Sequence, residues 1–367
     1  MASIAHLLEC GQALWLDYVD RDLLTGGGLE RLVDDGLRGV TSNPTIFHQA
    51  ITGSPAYDEA ILDLIQADHE LDAERLYEWL AIQDIQMACD QLAPVYERTE
   101  GHDGFVSLEV SPHLAHDAQG SIDQARHLWR SVHRDNLMIK VPATEEGLTA
   151  IEALIAEGIN VNVTLLFAVA RYEQVFAAYI RGLGQNDRPK RTASVASFFV
   201  SRIDSTIDPK LEGTEGAKWR SQAAIANAKM AYQSFLRIRD GADFQAQAKR
   251  GAQVQRPLWA STSTKDPNLS PTLYVDSLIG PQTVNTVPPK TLDQFVNGGE
   301  ASVTIDENIE AARAALSALS GLGIDLDAVT TALEAEGIRK FIESYDGLVD
   351  DLHQKISEVT TNYAAES

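Results

Sequence analysis

Basic charge is scarce in this chain: 30 Lys and Arg stand against 53 Asp and Glu in 367 residues, a formal net charge of −23 with histidine neutral. So acidic a chain is a poor match for nucleic acid, whose phosphates are held by clustered Lys and Arg, and for an anionic membrane surface. Cysteine is scarcer still. Cys10 and Cys89 are the only two, too few for a disulfide framework or a four-thiolate zinc site, so a reducing cytoplasm is the expected setting. No run of about 18 apolar residues offers a membrane span, and residues 1–12 lack the basic start and apolar centre of a secretory signal. What remains is ordinary for a folded protein: 44% hydrophobic and 23% charged residues argue against global disorder.

The chain is punctuated by eight short apolar or β-branched runs: 13–19 (ALWLDYV), 39–44 (GVTSNP), 104–110 (GFVSLEV), 137–142 (LMIKVP), 160–167 (NVNVTLLF), 192–200 (TASVASFFV), 257–262 (PLWAST) and 283–287 (TVNTV). Most are bounded by Gly, Asn, Asp or Pro, as strands are. Between and after them, residues 58–65, 74–93, 144–157, 168–183, 218–238 and 309–319 carry apolar residues at helical spacing. Strand then helix, repeated, means parallel strands joined by crossovers, and eight such units predict a closed (β/α)8 barrel with extra helices. That fold takes about 250 residues. The surplus is assigned to helical insertions near 45–103 and 204–256 and a helical tail over 301–367, all within a single domain spanning 1–367. A doubly wound sheet competes, but eight runs with no Gly-x-Gly-x-x-Gly after the first count against it.

Strands of a parallel barrel are buried on both faces and should read as apolar. These break the rule toward their C-terminal ends, at Asp17, Asn43, Glu109, Lys140, Asn162, Thr164, Ser197 and Ser261. Asn160, Asn162 and Thr164 share parity and are expected to point inward together. One strand serine or threonine is ordinary core, and one strand lysine often sits at a sheet margin. Two carboxylates and an amine on three different strands are a stronger signal, because a barrel brings its strand C-termini to one mouth and buried charges need partners there. Lys140 lies among Leu137, Met138, Ile139 and Val141. Desolvation favours the free amine, the form that attacks a carbonyl, and the expected chemistry is a Schiff base whose imine accepts electrons during C–C cleavage. Glu109 suits the acid/base handling water and carbinolamine, and Asp17 suits the base for the hydroxyl beside the breaking bond.

At these residues the chain resembles the transaldolase family, the Schiff-base enzymes of the pentose phosphate pathway. The resemblance runs from about residue 14 to 295. It is strongest in GVTSNPTIF (39–47), LMIKVPATEEGLTAIEALIAEGINVNVTLLF (137–167) and SFFVSRID (197–204), and the length matches the longer bacterial branch. It implies that Lys140 is the Schiff-base lysine, Glu109 the acid/base working with a water, Thr164 the hydroxyl holding that water, and Asp17 the proton acceptor in cleavage. It further implies that Asn43 positions substrate hydroxyls, Asn162 neighbours the imine, Ser197 contacts the dihydroxyacetone part and Arg202 binds phosphate. The family's second phosphate arginine often follows strand seven in a Ser-x-Arg pattern. Here Ser263 stands in that place, so Lys265, with Ser261 and Ser263, is expected to supply the contact as a point charge. The implied reaction moves a dihydroxyacetone unit between sugar phosphates, with no metal or organic cofactor. A Schiff-base sugar-phosphate aldolase, releasing free dihydroxyacetone or using another sugar phosphate, is the nearest alternative. A non-catalytic sugar-phosphate binder is the other, weakened because Lys140, Glu109 and Asp17 are all present. A homodimer is compatible with the sequence.

Other features carry less. Gly26–Gly28 lacks the Gly-Lys-Ser/Thr of a phosphate loop and reads as a turn before a helix. His113 and His116 have no evident third metal ligand and read as solvated. Trp15, Trp79, Trp129, Trp219 and Trp259 read as core or interface anchors, and the acidic tail reads as a solvated helical face.

Overall fold

The computed structural model describes residues 4–68 and 70–366, with side chains through residue 358. Eight parallel strands close into a barrel in sequential order: β1 (Gln12–Leu16), β2 (Gly39–Thr41), β3 (Phe105–Glu109), β4 (Leu137–Pro142), β5 (Val161–Leu166), β6 (Ser194–Phe199), β7 (Arg256–Ala260) and β8 (Thr283–Val287). Each falls on one of the eight runs read from sequence, so the expected (β/α)8 barrel is the fold. Every strand residue except Arg256 is buried, because the helical ring covers the face that the interior does not.

The helices begin where short polar residues can cap them. Asn43 accepts from the Ile46 amide at the start of the helix Pro44–Gly53, Asp72 from Arg75 before Ala73–Arg98, and Thr144 from Gly147 before Glu145–Ala156. The 74–93 helix runs on through Pro94 to Arg98. The segment expected to be one helix over 218–238 is a short 3-10 turn, Glu215–Trp219, followed by the helix Ala223–Arg239. Gly27 takes φ 68° immediately before the helix Gly28–Asp34, the turn its glycines imply. Trp15 and Trp259 are fully buried in the core, whereas Trp79 is half exposed.

Polar strand residues divide into two kinds by height. At the N-terminal end they tie down backbone: Gln12 donates to the Leu278 carbonyl, Asn136 to those of Cys89 and Gly104, and Asn160 to those of Asp135 and Leu137. Asn160 therefore belongs to the floor of the barrel, not to a group with Asn162 and Thr164 at the mouth. Parity along a strand sets the face a side chain takes and leaves its height in the barrel unspecified.

The acidic tail departs furthest from its reading. Its long helix, Leu326–Glu366, is solvated on one face only. Val329, Leu333, Ile338, Phe341, Leu348 and Leu352 are buried at helical spacing, each worth about 1.5–3 kcal/mol of apolar burial when fully covered. The helix packs on the helices Pro44–Gly53, Ala73–Arg98 and Ser201–Leu211 and on β5, all at the C-terminal end of the barrel. Gly337 is what lets it approach: a Cβ there would lie 2.8 Å from a Leu165 methyl. No single helix among the described residues is long and apolar enough to cross a membrane.

Candidate active site

Parallel register sets Glu109 beside Lys140 and Lys140 beside Asn162. Lys140 Nζ lies 3.2 Å from Glu109 Oε2 and donates to the Ser42 carbonyl at 3.0 Å. Both side chains are almost wholly buried. Burial pushes the Glu109 carboxyl up, and the neighbouring Lys140 opposes this. Asp17, just past the end of β1, is also pushed up by burial, but three partners oppose the shift: Lys140, the Thr41 hydroxyl and Arg202. Thr41 Oγ1 donates to Asp17 at 2.7 Å and sits 2.7 Å from the Thr286 hydroxyl. Two buried carboxyls thus share the field of one amine, and Asp17 has the further support of a hydroxyl donor and a guanidinium.

A cavity of about 240 Å³ opens at the mouth, lined by Asp17, Asn43, Lys140, Thr164, Ser197, Arg202, Ser261, Ser263 and Lys265, with Thr41, Phe199 and Phe341 among the walls. Asn43 spends its side-chain oxygen on the helix cap, 3.0 Å from the Ile46 amide, which leaves its NH₂ group to donate. Thr164 Oγ1 is buried and has no hydrogen-bond partner among the described residues. Immediately beyond it the backbone bulges out of register, with Leu165 at φ 57°. Such irregularities re-aim side chains beside barrel rims. Ser261 is likewise in the left-handed region, at φ 55°, with its hydroxyl 3.1 Å from that of Ser201. Ser263 pairs with Thr291 at 2.9 Å.

Two expected residues lie outside that cavity. Glu109 lines an adjacent recess of about 140 Å³ together with Tyr77 and Tyr345. Asn162 is absorbed in the wall: its amide donates to Ser107 Oγ at 2.9 Å and its oxygen accepts from Ser197 Oγ at 2.7 Å. Ser197 is thereby held facing the cavity.

Arg202 is half-buried, its guanidinium 5.1 Å over the Phe199 ring. Burial pulls it down, with Glu336 and Asp17 acting against that. Lys265 is exposed. Among the described residues neither cation has a carboxylate within ion-pair distance. No cluster of metal-ligating side chains is found among the described residues. His113 and His116 are exposed and lie against different carboxylates, Asp346 at 2.7 Å and Glu146 at 3.2 Å.

Sequence reasoning missed Thr41, Ser107, Thr286 and Phe341. Thr41 and Ser107 share parity with Asn43 and Glu109 in their runs, and that parity was the available signal; Thr286 had none. Phe341 carried none.

A closed parallel barrel with a buried amine between two carboxyls at its mouth, and free cations at its rim, belongs among the (β/α)8-barrel enzymes. The comparisons name which. Residues 14–352 match the model of the Transaldolase/Fructose-6-phosphate aldolase family, and the chain belongs to that family. It is 46% identical to a transaldolase of Thiobacillus denitrificans over 92% of this chain and 96% of that one. It is 47% identical to a transaldolase of Acidothermus cellulolyticus over 94% of each chain. A transaldolase of Parafrankia sp. is 46% identical over 98% of this chain and 99% of its own.

Proposed function

We propose that the chain is a transaldolase. It moves a dihydroxyacetone unit reversibly from sedoheptulose 7-phosphate to glyceraldehyde 3-phosphate, giving erythrose 4-phosphate and fructose 6-phosphate. The observation that carries the reading is the buried Lys140, 3.2 Å from Glu109, in a mouth that also holds Asp17 and two unpaired cations. Lys140 attacks the ketose carbonyl. Glu109, kept protonatable by burial, delivers a proton as the carbinolamine loses water, and Thr164 orients that water. The imine withdraws electrons from the adjacent C–C bond while Asp17 takes the proton of the hydroxyl on the departing carbon, and the aldehyde product leaves. The three-carbon enamine then attacks the acceptor aldehyde and the steps reverse.

Asn43, Ser197 and Ser261 hold the sugar's oxygens, with Asn162 fixing Ser197. Arg202 binds the phosphate, at the start of a helix, Ser201–Leu211, whose first turn has no side-chain cap; oriented amides and the dipole favour an anion there. Lys265 and Ser263 supply the second contact. An anion binder in a chain of net charge −23 needs cations not already committed to carboxylates, and these two meet that need. Free Cys10 and Cys89 accord with work in the cytoplasm.

The test is borohydride reduction in the presence of fructose 6-phosphate, read by peptide mass. A reduced dihydroxyacetone adduct on the Lys140 peptide, absent in Lys140→Ala, is expected. Arg202→Ala should retain the adduct at high sugar concentration while raising KM by roughly 10–100-fold, the loss of a charge-assisted bidentate contact. Folded chain that binds the sugar yet gives no adduct would remove the reading.

A further inference from the structure

Among the described residues Phe341, on the C-terminal helix, is the one wall of the active-site cavity contributed from beyond the barrel's strands and the segments that follow them. Its ring centre lies 5.8 Å from Lys140 Nζ, and the side chain is only 6% exposed. One turn further on, Tyr345 faces a different chamber, the recess that contains Glu109. It is wedged edge-on between Tyr77 and His113. The same helical face therefore covers both sides of the Lys140–Glu109 pair. The helix is fastened along its length: Thr45 donates to Ser344 at 2.8 Å, His113 lies 2.7 Å from Asp346, His48 lies 2.7 Å from Asp351, and Lys355 lies 2.5 Å from Asp58. A side chain held this firmly over a nucleophile is built to exclude something from it.

We propose that Phe341 sets the partition of the three-carbon intermediate between the acceptor aldehyde and water. This rests on the Schiff-base reading above. After cleavage the enamine on Lys140 has two exits. In transfer its carbon bonds to the acceptor's carbonyl carbon, and the acceptor's oxygen takes the proton held by Asp17. In release that carbon takes a proton instead, giving the dihydroxyacetone iminium. Water then adds across C=N and the C–N bond breaks. The water oxygen becomes the ketone oxygen of free dihydroxyacetone, and its two protons leave with the lysine as ammonium. The apolar ring near Nζ obstructs a water that would bring a proton to the enamine carbon from the substrate side, while the water that leaves or enters at C=N, needed in both exits, is handled by Glu109 and Thr164. Transfer and release share every polar group, so an apolar wall is the kind of element that can separate them.

The experiment compares the unmodified chain with Phe341→Ala and Phe341→Leu, using fructose 6-phosphate as donor and erythrose 4-phosphate as acceptor. The readout is the ratio of free dihydroxyacetone to sedoheptulose 7-phosphate formed, alongside borohydride trapping at Lys140. The expected result is a ratio raised roughly tenfold or more by Phe341→Ala, with Phe341→Leu between, and a retained Lys140 adduct. Phe341→Leu keeps an apolar side chain of similar reach, so it reports on partition even where the alanine variant loosens the helix. An adduct with an unchanged or lowered ratio, whatever happens to the overall rate, would overturn the inference and leave the Schiff-base reading standing. Absence of an adduct in the unmodified chain would overturn both.

Discussion

Asp17 and Glu109 show how two buried carboxyls that both feel one amine acquire different tasks. Burial raises both, but Asp17 alone accepts a hydroxyl hydrogen bond, from Thr41. Thr41→Val removes that donor, so the charged form of Asp17 loses support and its proton binds more tightly. The acid limb of the kcat/KM profile should then move to higher pH and kcat should fall roughly tenfold, while borohydride trapping at Lys140 persists. A profile that stayed in place would show that the Thr41 contact does not tune the base. This group of residues was legible in sequence only in part. Asp17, Glu109 and Lys140 stand out because charge inside an apolar strand is costly and rare. Thr41, Ser107 and Thr286 do not, because a strand hydroxyl is cheap to satisfy locally and looks the same whether it serves a core or a base.

At the scale of elements, the strands were readable because burial on both faces leaves an apolar run in sequence, and several helices because their apolar residues recur at helical spacing. Height along the barrel and contacts distant in sequence were not readable. Asn160 has the parity of Asn162 yet ties down the floor, and the C-terminal helix reaches the mouth through packing that no local pattern encodes. Close approach between neighbouring strands is also a property of elements, and Gly39 is its sharpest case. It pairs with Trp15 on β1 and Phe105 on β3. A Cβ there would stand 2.6 Å from indole ring atoms and 2.8 Å from the Phe105 carbonyl oxygen. Neither neighbour is the free end of a flexible chain. Gly39→Ala should therefore cost about 1–3 kcal/mol of stability by overpacking, seen as a lower denaturant midpoint with an unchanged m-value. A neutral result would mean that the first three strands can spread without loss.

For the whole molecule, the buried carboxyls and the net charge act on stability in the same direction. Burial raises Asp17, Asp84, Glu109, Asp204, Asp276 and Glu334 above the ordinary carboxylate range. A group that binds its proton more tightly when folded supports the fold at pH below its unfolded value, and that support is lost as pH rises through its folded value. Asp204 is the clearest instance. It is pushed up to about 7 by burial, with Asp208 adding to the shift, while the Ala224 amide and the Tyr274 hydroxyl, at 2.8 and 3.0 Å, pull against it. Between roughly pH 4 and 7 this single group should withdraw on the order of 4 kcal/mol. Exposed carboxyls such as Glu146 and Asp240 are held low by their partners and act in the opposite sense, but solvent screens them and their effect is small. The excess of 23 negative charges adds self-repulsion that also grows as carboxyls ionise. Stability should therefore peak at mildly acidic pH and decline toward pH 8, unlike proteins whose carboxylates are mostly paired. The two causes separate by salt and by substitution. Raising ionic strength to about 0.15 M screens surface repulsion over a Debye length of about 8 Å but does not reach a buried carboxyl. Asp204→Asn keeps an oxygen for the Ala224 amide and removes the titration. Thermal melts from pH 5 to 8 should show a slope that salt reduces only in part and that Asp204→Asn reduces further. A slope abolished by salt alone would assign the whole pH dependence to surface charge and none to Asp204.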